Sequence, residues 1–368
     1  MSTPLDKLLT FAFGKKASDV ILKTNSPPVL RMNGELNALQ APPLTETEIF
    51  QFLRAVLTTG QLLDFHKTLE LDAAVGVEGV GRMRLNVFQQ RRHITAVLRL
   101  IPRELPPLAD LRLPPVVRDF AMKDRGLVLV TGPAGCGKTT TIAAMVAYRA
   151  ERDSCNVITV EDPIEYEIPS REALINQREV GRDTLTFAAA LRQSLRQDPD
   201  VIVIGEMRDL ETIQMAITAA ETGHLVLSTL HTVDAVRTVD RIIDVFPSFQ
   251  QRQVRLQLSA NLVGVISQLL LKTANGAGLA LACEILVATP AVQNLIRESK
   301  TYMIASIMQT KADESMRTMN RALLELIQRK IITAEEALAK TPTPDDLEKA
   351  LGRTALDVAL RDGATARG

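Results

Sequence analysis

The 368-residue chain has no tryptophan, three tyrosines, three cysteines, four histidines and no net charge, 43 basic residues balancing 43 acidic ones. Each scarcity removes a class of function. A broad nucleic-acid surface needs excess lysine and arginine, and single-strand binding needs aromatic platforms for stacked bases. No nucleic-acid partner is therefore expected. Cys136, Cys155 and Cys283 lie too far apart in sequence for a paired-cysteine zinc site or a disulfide framework. No apolar run reaches the roughly 20 residues that span a bilayer. The start, Met1 to Leu9, lacks the basic-then-apolar layout of a signal peptide. A cytoplasmic protein is expected, long enough for two separate cores.

What is present centres on Thr131-Gly132-Pro133-Ala134-Gly135-Cys136-Gly137-Lys138-Thr139, which follows the apolar run Leu127 to Val130 and precedes a helical stretch, Thr140 to Tyr148. Strand, glycine loop, helix is the context of a phosphate-binding loop. The backbone N–H groups of the loop Gly132 to Thr140, Pro133 excepted, and the helix N-terminus make a nest for phosphate oxygens. Lys138 is expected to reach the β/γ-phosphates of ATP, Thr139 to ligate Mg²⁺, and Cys136 to act as a small filler.

Further short apolar runs, Val157–Val160, Val201–Ile204 and Leu225–Leu227, are continuous rather than alternating, the pattern of a mostly parallel sheet. Ligands of such sheets bind beyond the carboxyl ends of the strands. There stand Glu161-Asp162-Pro163-Ile164-Glu165, read as carboxylates near the sheet edge that orient or deprotonate a water, or else as a solvated acidic turn. Glu206 follows the next run at the position of a Walker B acid, as a Mg²⁺ ligand directly or through water. Arg208 and Asp209 beside it allow a simple mutual pair. His231 follows the last run, as a γ-phosphate sensor or a structural histidine, with His224 just before that run.

The N-terminal hundred residues read as α+β: a helix ending near Gly14, strands at 19–22 and 29–32, a turn at Asn33-Gly34, and a helix from the capping box Thr45 to Glu48 through about Leu57. Strands follow at 71–77, 82–88 and 94–101. Arg82, Arg84, Arg91, Arg92 and Arg99 form either a solvated face or arginine fingers for a neighbouring subunit. The boundaries expected are 1–101 for this domain, 102–115 for a stiff, extended proline-rich linker, and 116–368 for the second domain. Its final third is expected to be mostly helical, with a capping box at Thr333 to Glu336, a helix from Thr343-Pro344, and a disordered end from Asp362 to Gly368.

Together these stretches resemble the secretion and pilus motor ATPases, in particular the type IV pilus retraction (PilT-like) branch. The matching segments are the phosphate loop, 160–166 (VEDPIEY), 176–180 (NQREV), 195–200 (LRQDPD), 204–212 (IGEMRDLET), 220–224 (AETGH), 228–232 (STLHT) and 244–247 (DVFP). Ala17 to Val20 and Asn25 to Pro28 look like the family's N-terminal domain. The resemblance implies a RecA-like α/β core, a smaller PAS-like N-terminal α+β domain, and a homohexameric ring with ATP between the two domains. It implies an ATPase at the cytoplasmic face of the inner membrane, acting through a pilus platform protein, with a paralogous retraction ATPase as a further partner. By the same resemblance Glu161, Asp162 and Glu165 form an acidic box with Glu165 as general base. Glu206 is then the Walker B glutamate, His231 belongs to a His box, and Arg84 and Arg99 are the arginines lent to the nucleotide, with Arg82 a weaker match.

One departure stands out: where the retraction branch carries Ala-Ile-Arg-Asn, this chain has Ala291-Val292-Gln293-Asn294. Either an accessory, PilU-like role or neutral variation follows. The nearest rival, an assembly ATPase, would bring a longer N-terminal region and a four-cysteine zinc site, and neither is present. A GTP-driven switch is suggested only by Thr310-Lys311-Ala312-Asp313, without an Asp-x-x-Gly at the Walker B strand. A RecA-type DNA translocase is disfavoured by charge and aromatic content.

Overall fold

The computed structural model describes residues 4–15, 17–32, 34–77, 79–101, 104–276, 278–310 and 315–352. Asn33, Pro102, Lys311 to Asp313 and the segment Asp362 to Gly368 lie outside the described residues. The chain divides into two compact units, 1–105 with 163–167, and 106–162 with 168–368.

The first unit runs α1 (Pro4–Gly14), β1 (Asp19–Lys23), β2 (Val29–Met32), β3 (Glu35–Ala38), α2 (Glu46–Val56), α3 (Thr59–Thr68), β4 (Glu70–Val77), β5 (Gly81–Gln90) and β6 (His93–Leu100). Its antiparallel sheet has the order β3-β2-β1-β6-β5-β4. Successive strand residues point to opposite faces. Met83, Leu85 and Val87 on β5, with Ile94, Ala96 and Leu98 on β6, bury one face against Leu9 of α1, Phe52 and Leu53 of α2 and Phe65 of α3. The other face carries the arginines. Thr45 and Glu48 cap α2 reciprocally. A second box, Thr58 with Gln61, starts α3, a helix the sequence reading left out. Gly60 in its first turn hides the signal.

The second unit contains α4 (Val116–Ala121), β7 (Gly126–Thr131), α5 (Lys138–Ala150), β8 (Asn156–Glu161), β9 (Leu174–Glu179), α6 (Phe187–Ser194), β10 (Val201–Ile204), α7 (Leu210–Glu221), β11 (Leu225–Leu230), α8 (Ala235–Asp244), α9 (Ser248–Asn261), β12 (Leu262–Lys272), β13 (Leu279–Val287), α10 (Pro290–Arg297), a 3₁₀ turn (Thr301–Met303), α11 (Ile304–Thr310), α12 (Met319–Gln328) and α13 (Ala334–Lys340). Its sheet has the order β13-β12-β7-β11-β10-β8-β9, parallel except for β13. All four expected central strands are present. The edge on their side is β9 rather than β8, so the acidic segment after β8 is one strand in from the edge.

Helices cover the sheet because each offers an apolar stripe. Ala235, Thr238, Val239, Ile242 and Ile243 of α8 recur at three- and four-residue spacing and are all buried. Burying a Val or Ile side chain fully contributes about 1.5–3 kcal/mol, so α8 is held by this stripe more than by helix propensity. No helix among the described residues is long and apolar enough to cross a membrane.

Two expectations are corrected. Residues 108–112 form turns with Leu108 buried, so the proline-rich stretch is folded rather than uniformly extended. The last third is mostly helical, as expected, and also contains the long hairpin β12–β13, signalled by its Asn275-Gly276 turn. Thr333 caps α13, but the Glu336 carboxylate accepts from the Lys272 N–H instead of closing the box.

β12 reaches β7 through a register shift between Leu262 and Gly264. A Cβ on Gly264 would collide with the Phe120 ring and come within 2.7 Å of the Leu286 carbonyl oxygen. Gly264→Ala is expected to destabilise the second unit by about 1–3 kcal/mol, the cost of overpacking. Thermal melting, with a drop of roughly 3 °C or more, checks it.

Candidate functional site

The carboxyl ends of β7, β11, β10 and β8 lie side by side, because Thr131 is in register with Leu230, and Ser228 with Ile204, which pairs with Val160. Every loop leaving these strands therefore emerges at one end of the sheet.

The glycine loop joins β7 to α5. Gly132 has φ +139°, and a Cβ there would strike the Gln268 carbonyl oxygen and approach the Cys136 Sγ to 2.6 Å. The Cys136 side chain is buried against this glycine, and burial pushes its thiol above the usual value. Gln268 of β12 also donates from Nε2 to Thr141 Oγ1 at 2.7 Å, and Thr131 and Ser267 share a hydroxyl bond of 2.8 Å. The loop is thus fastened to β12 from beneath, by residues the sequence reading did not single out.

Helix α5 starts at Lys138 with Gly137 as its N-cap and no side-chain cap. By contrast α6, α7 and α8 are capped by Thr186, Asp209 and Asp234. A helix start without a side-chain cap is the arrangement a phosphate nest uses. Thr139 and Thr140 are half-buried in that turn.

The Lys138 ammonium is buried and donates to the carbonyls of Gly132 (2.8 Å) and Pro133 (3.0 Å), with His231 Nδ1 at 3.3 Å. An ammonium has donors only, so Nδ1 accepts and Nε2 carries the proton. Nε2 lies 3.1 Å from Glu206 Oε1, to which it donates. Arg208 grips the other Glu206 oxygen at 2.8 Å. Burial pushes the Glu206 carboxyl up, but the Arg208 bond and charge and the neighbouring His231 outweigh it, leaving the group below the usual carboxylate range. Lys138, His231, Glu206 and Arg208 form one chain of contacts. Arg208 and Asp209 do not make the mutual pair the sequence allowed: Asp209 caps α7 through Thr212. His224 stands at the opposite end of β11, against Ala219 and Thr222, so only His231 joins the site.

Glu161 ends β8 with its carboxylate accepting from Thr159 Oγ1 (2.7 Å) and Gln177 Nε2 (3.0 Å). Asp162 is exposed. Glu165 belongs to the first unit, in the segment whose Glu167 pairs with Arg82 at 2.9 Å. Also in that unit Arg84 makes a two-pronged bond to Asp72, and Arg99 donates to Asp19 at 3.1 Å. Arg84 and Arg99 are directly opposed on one sheet face, beside Asp19 and Arg31. Arg91 and Arg92 form the β5–β6 turn with positive φ.

A cavity of about 620 Å³ borders the first turn of α5, lined by Gly137, Thr140, Arg112, Arg317 and Arg329 among others. Its volume is in the range of small-molecule sites. The three arginines escaped sequence reading because they lie far apart in the chain.

The family of type II/IV secretion system proteins matches residues 95–339. The chain is 44% identical over 342 residues to the type IV pilus retraction ATPase PilT of Pseudomonas aeruginosa, covering 93% of this chain and 99% of that one. It is 37% identical over 342 residues to the type IV pilus ATPase PilU of the same organism, covering 93% and 90%. The crystal structure of the pilus retraction motor PilT with bound ADP superposes with a TM-score of 0.87 at 44% identity, over 94% of this chain and 99% of that one. On these grounds the chain is a member of the type II/IV secretion system protein family, within its branch of type IV pilus retraction ATPases.

Proposed function

We propose that this protein hydrolyses ATP to drive retraction of a type IV pilus, as a homohexameric ring at the cytoplasmic face of the inner membrane, working on a platform protein. The observation that carries the nucleotide chemistry is the chain of contacts from Lys138 through His231 to Glu206 at the open end of the parallel sheet. The retraction role is supported by near-full-length identity with the retraction ATPase, at 44% against 37% for the PilU relative.

In this reading the loop amides of Gly132 to Thr140 and Lys138 bind the phosphates. Thr139 and Glu206, the latter directly or through water, would hold Mg²⁺, whose charge would offset that of the phosphates. The donor set fits: a hydroxyl in the first turn of α5 and a carboxylate kept ionised by Arg208. Glu165 takes a proton from the attacking water, Glu161 orients the acidic segment, and Arg84 and Arg99 offer their guanidiniums to nucleotide bound by a neighbouring copy. His231 reports on the γ-phosphate because Lys138 is its neighbour: when the ammonium turns to phosphate, Nδ1 loses its donor, and the Glu206 contact is free to change.

A second reading, an accessory retraction ATPase, is favoured by Gln293, half-buried on α10 where the branch carries arginine. Deleting the gene and following surface filaments separates the two: filaments that no longer shorten support the main motor, and normal shortening overturns it.

Lys138→Ala is expected to weaken ATP binding by about 10- to 100-fold, from the loss of charge-assisted hydrogen bonds, read by calorimetry. Glu206→Ala should keep ATP affinity while phosphate release falls by about two orders of magnitude or more; normal turnover would remove Glu206 from the chemistry. A lowered carboxyl adds stability that is present above the ordinary glutamate value of about 4.3 and fades as pH falls through the lowered one. The urea midpoint of wild type should thus exceed that of Glu206→Gln at neutral pH, and the gap should close in acid.

A further inference from the structure

Glu284, on β13, is a buried carboxylate in a part of the fold that the proposed chemistry does not use. One of its oxygens accepts from the Ala235 N–H at 2.8 Å, and the other from the Met319 N–H at 3.2 Å. Ala235 and Met319 are the first residues of α8 and α12. The helices have their own caps, Asp234 accepting from the Arg237 N–H and Thr318 from the Arg321 N–H. Glu284 therefore takes the first-turn donors those caps leave over, at the positive ends of two helix dipoles. One acid on the edge strand holds two helices distant in sequence.

The two helices have different duties. α8 begins directly after His231-Thr232-Val233-Asp234, and that connection is short and braced. Thr232 and Thr238 share a hydroxyl bond of 2.6 Å, and Thr238 also donates to the Asp234 carbonyl. A shift of the α8 N-terminus is thereby carried to His231. α12 opens the C-terminal helices, and its approach is already fixed to β13 by a pair of main-chain bonds between Ile285 and Arg317, at 2.8 and 3.0 Å. The strand holds α12 without Glu284, whereas among the described polar contacts Glu284 is what ties the start of α8 to that strand.

Such a residue is costly. Burial pushes the Glu284 carboxyl up to about 7, against the pull of its two amide donors. An acid kept in the interior at that cost adds little net stability. Its value lies in the register it sets.

We propose that Glu284 is a positioning residue for ATP hydrolysis: it fixes α8 on β13 so that His231 meets Lys138 and Glu206, and couples that register to α12. The inference rests on the ATPase reading above. It is tested on the full chain by steady-state phosphate release with Glu284→Gln, His231→Ala and the double variant. Glutamine keeps the size but turns an amide donor toward one of the two N–H groups. The expected result is a fall in kcat of about tenfold or more for Glu284→Gln with the KM for ATP within about twofold. In the His231→Ala background the same change should alter kcat by less than about twofold, since there is no imidazole left to position.

An unchanged kcat, or losses that multiply in the double variant, overturns the proposal. If Glu284→Gln does not fold, Thr318→Ala loosens the α12 start alone and is read the same way: kcat falls about threefold at constant KM, but not without His231. A fall that persists without His231 overturns it. A wild type that releases no phosphate overturns the ATPase reading and this inference with it. A wild type that turns over beside equally active variants overturns this inference alone.

Discussion

An ammonium taken out of water must find acceptors, and the second unit is arranged around the one at Lys138. Two loop carbonyls and the His231 imidazole hold it. That demand fixes the His231 tautomer, which in turn makes Nε2 a donor to Glu206. A phosphate arriving at the loop offers Lys138 a stronger, charged acceptor than carbonyl or imidazole. In the proposed mechanism the contacts around the lysine are therefore a small balance that nucleotide tips, with His231 and Glu206 the first groups to register it.

The scaffold makes this possible by rigidity in one direction. Parallel strands bring four loops to one end, and β12 fastens the glycine loop from below through Gln268 and Ser267. Gly132 admits the Gln268 carbonyl where any side chain would collide. On the far side β13 anchors α8 and α12 through Glu284. The hairpin β12–β13 thus connects the phosphate loop with the helix that follows His231.

In the first unit the arginines proposed to serve a neighbouring copy are held by carboxylates on the sheet face, Arg84 by Asp72 and Arg99 by Asp19. Arg84 and Asp72 are both exposed, and such a pair contributes only about 0–1 kcal/mol. The Arg84 guanidinium can therefore exchange partners at little cost while its direction is kept by the strand, whereas Arg99 is held by a buried carboxylate.

The glycine loop, the parallel strands and the residues after each were legible in the sequence, because a phosphate loop has a local signature and buried parallel strands read as continuous apolar runs. The positions of Glu206 and His231 at the carboxyl ends of strands were legible that way, each standing directly after such a run. What only the tertiary structure decided is who touches whom. Sequence proximity offered Arg208 to Asp209 and to Glu206 alike, and only the folded loop decided between them, giving Arg208 to Glu206 and leaving Asp209 to cap α7. The same proximity put His224 beside His231, though the length of β11 separates them. Gln268 and Glu284 act on loops and helices remote in the chain, and no local pattern encodes a contact that exists only once β12 and β13 have joined the sheet.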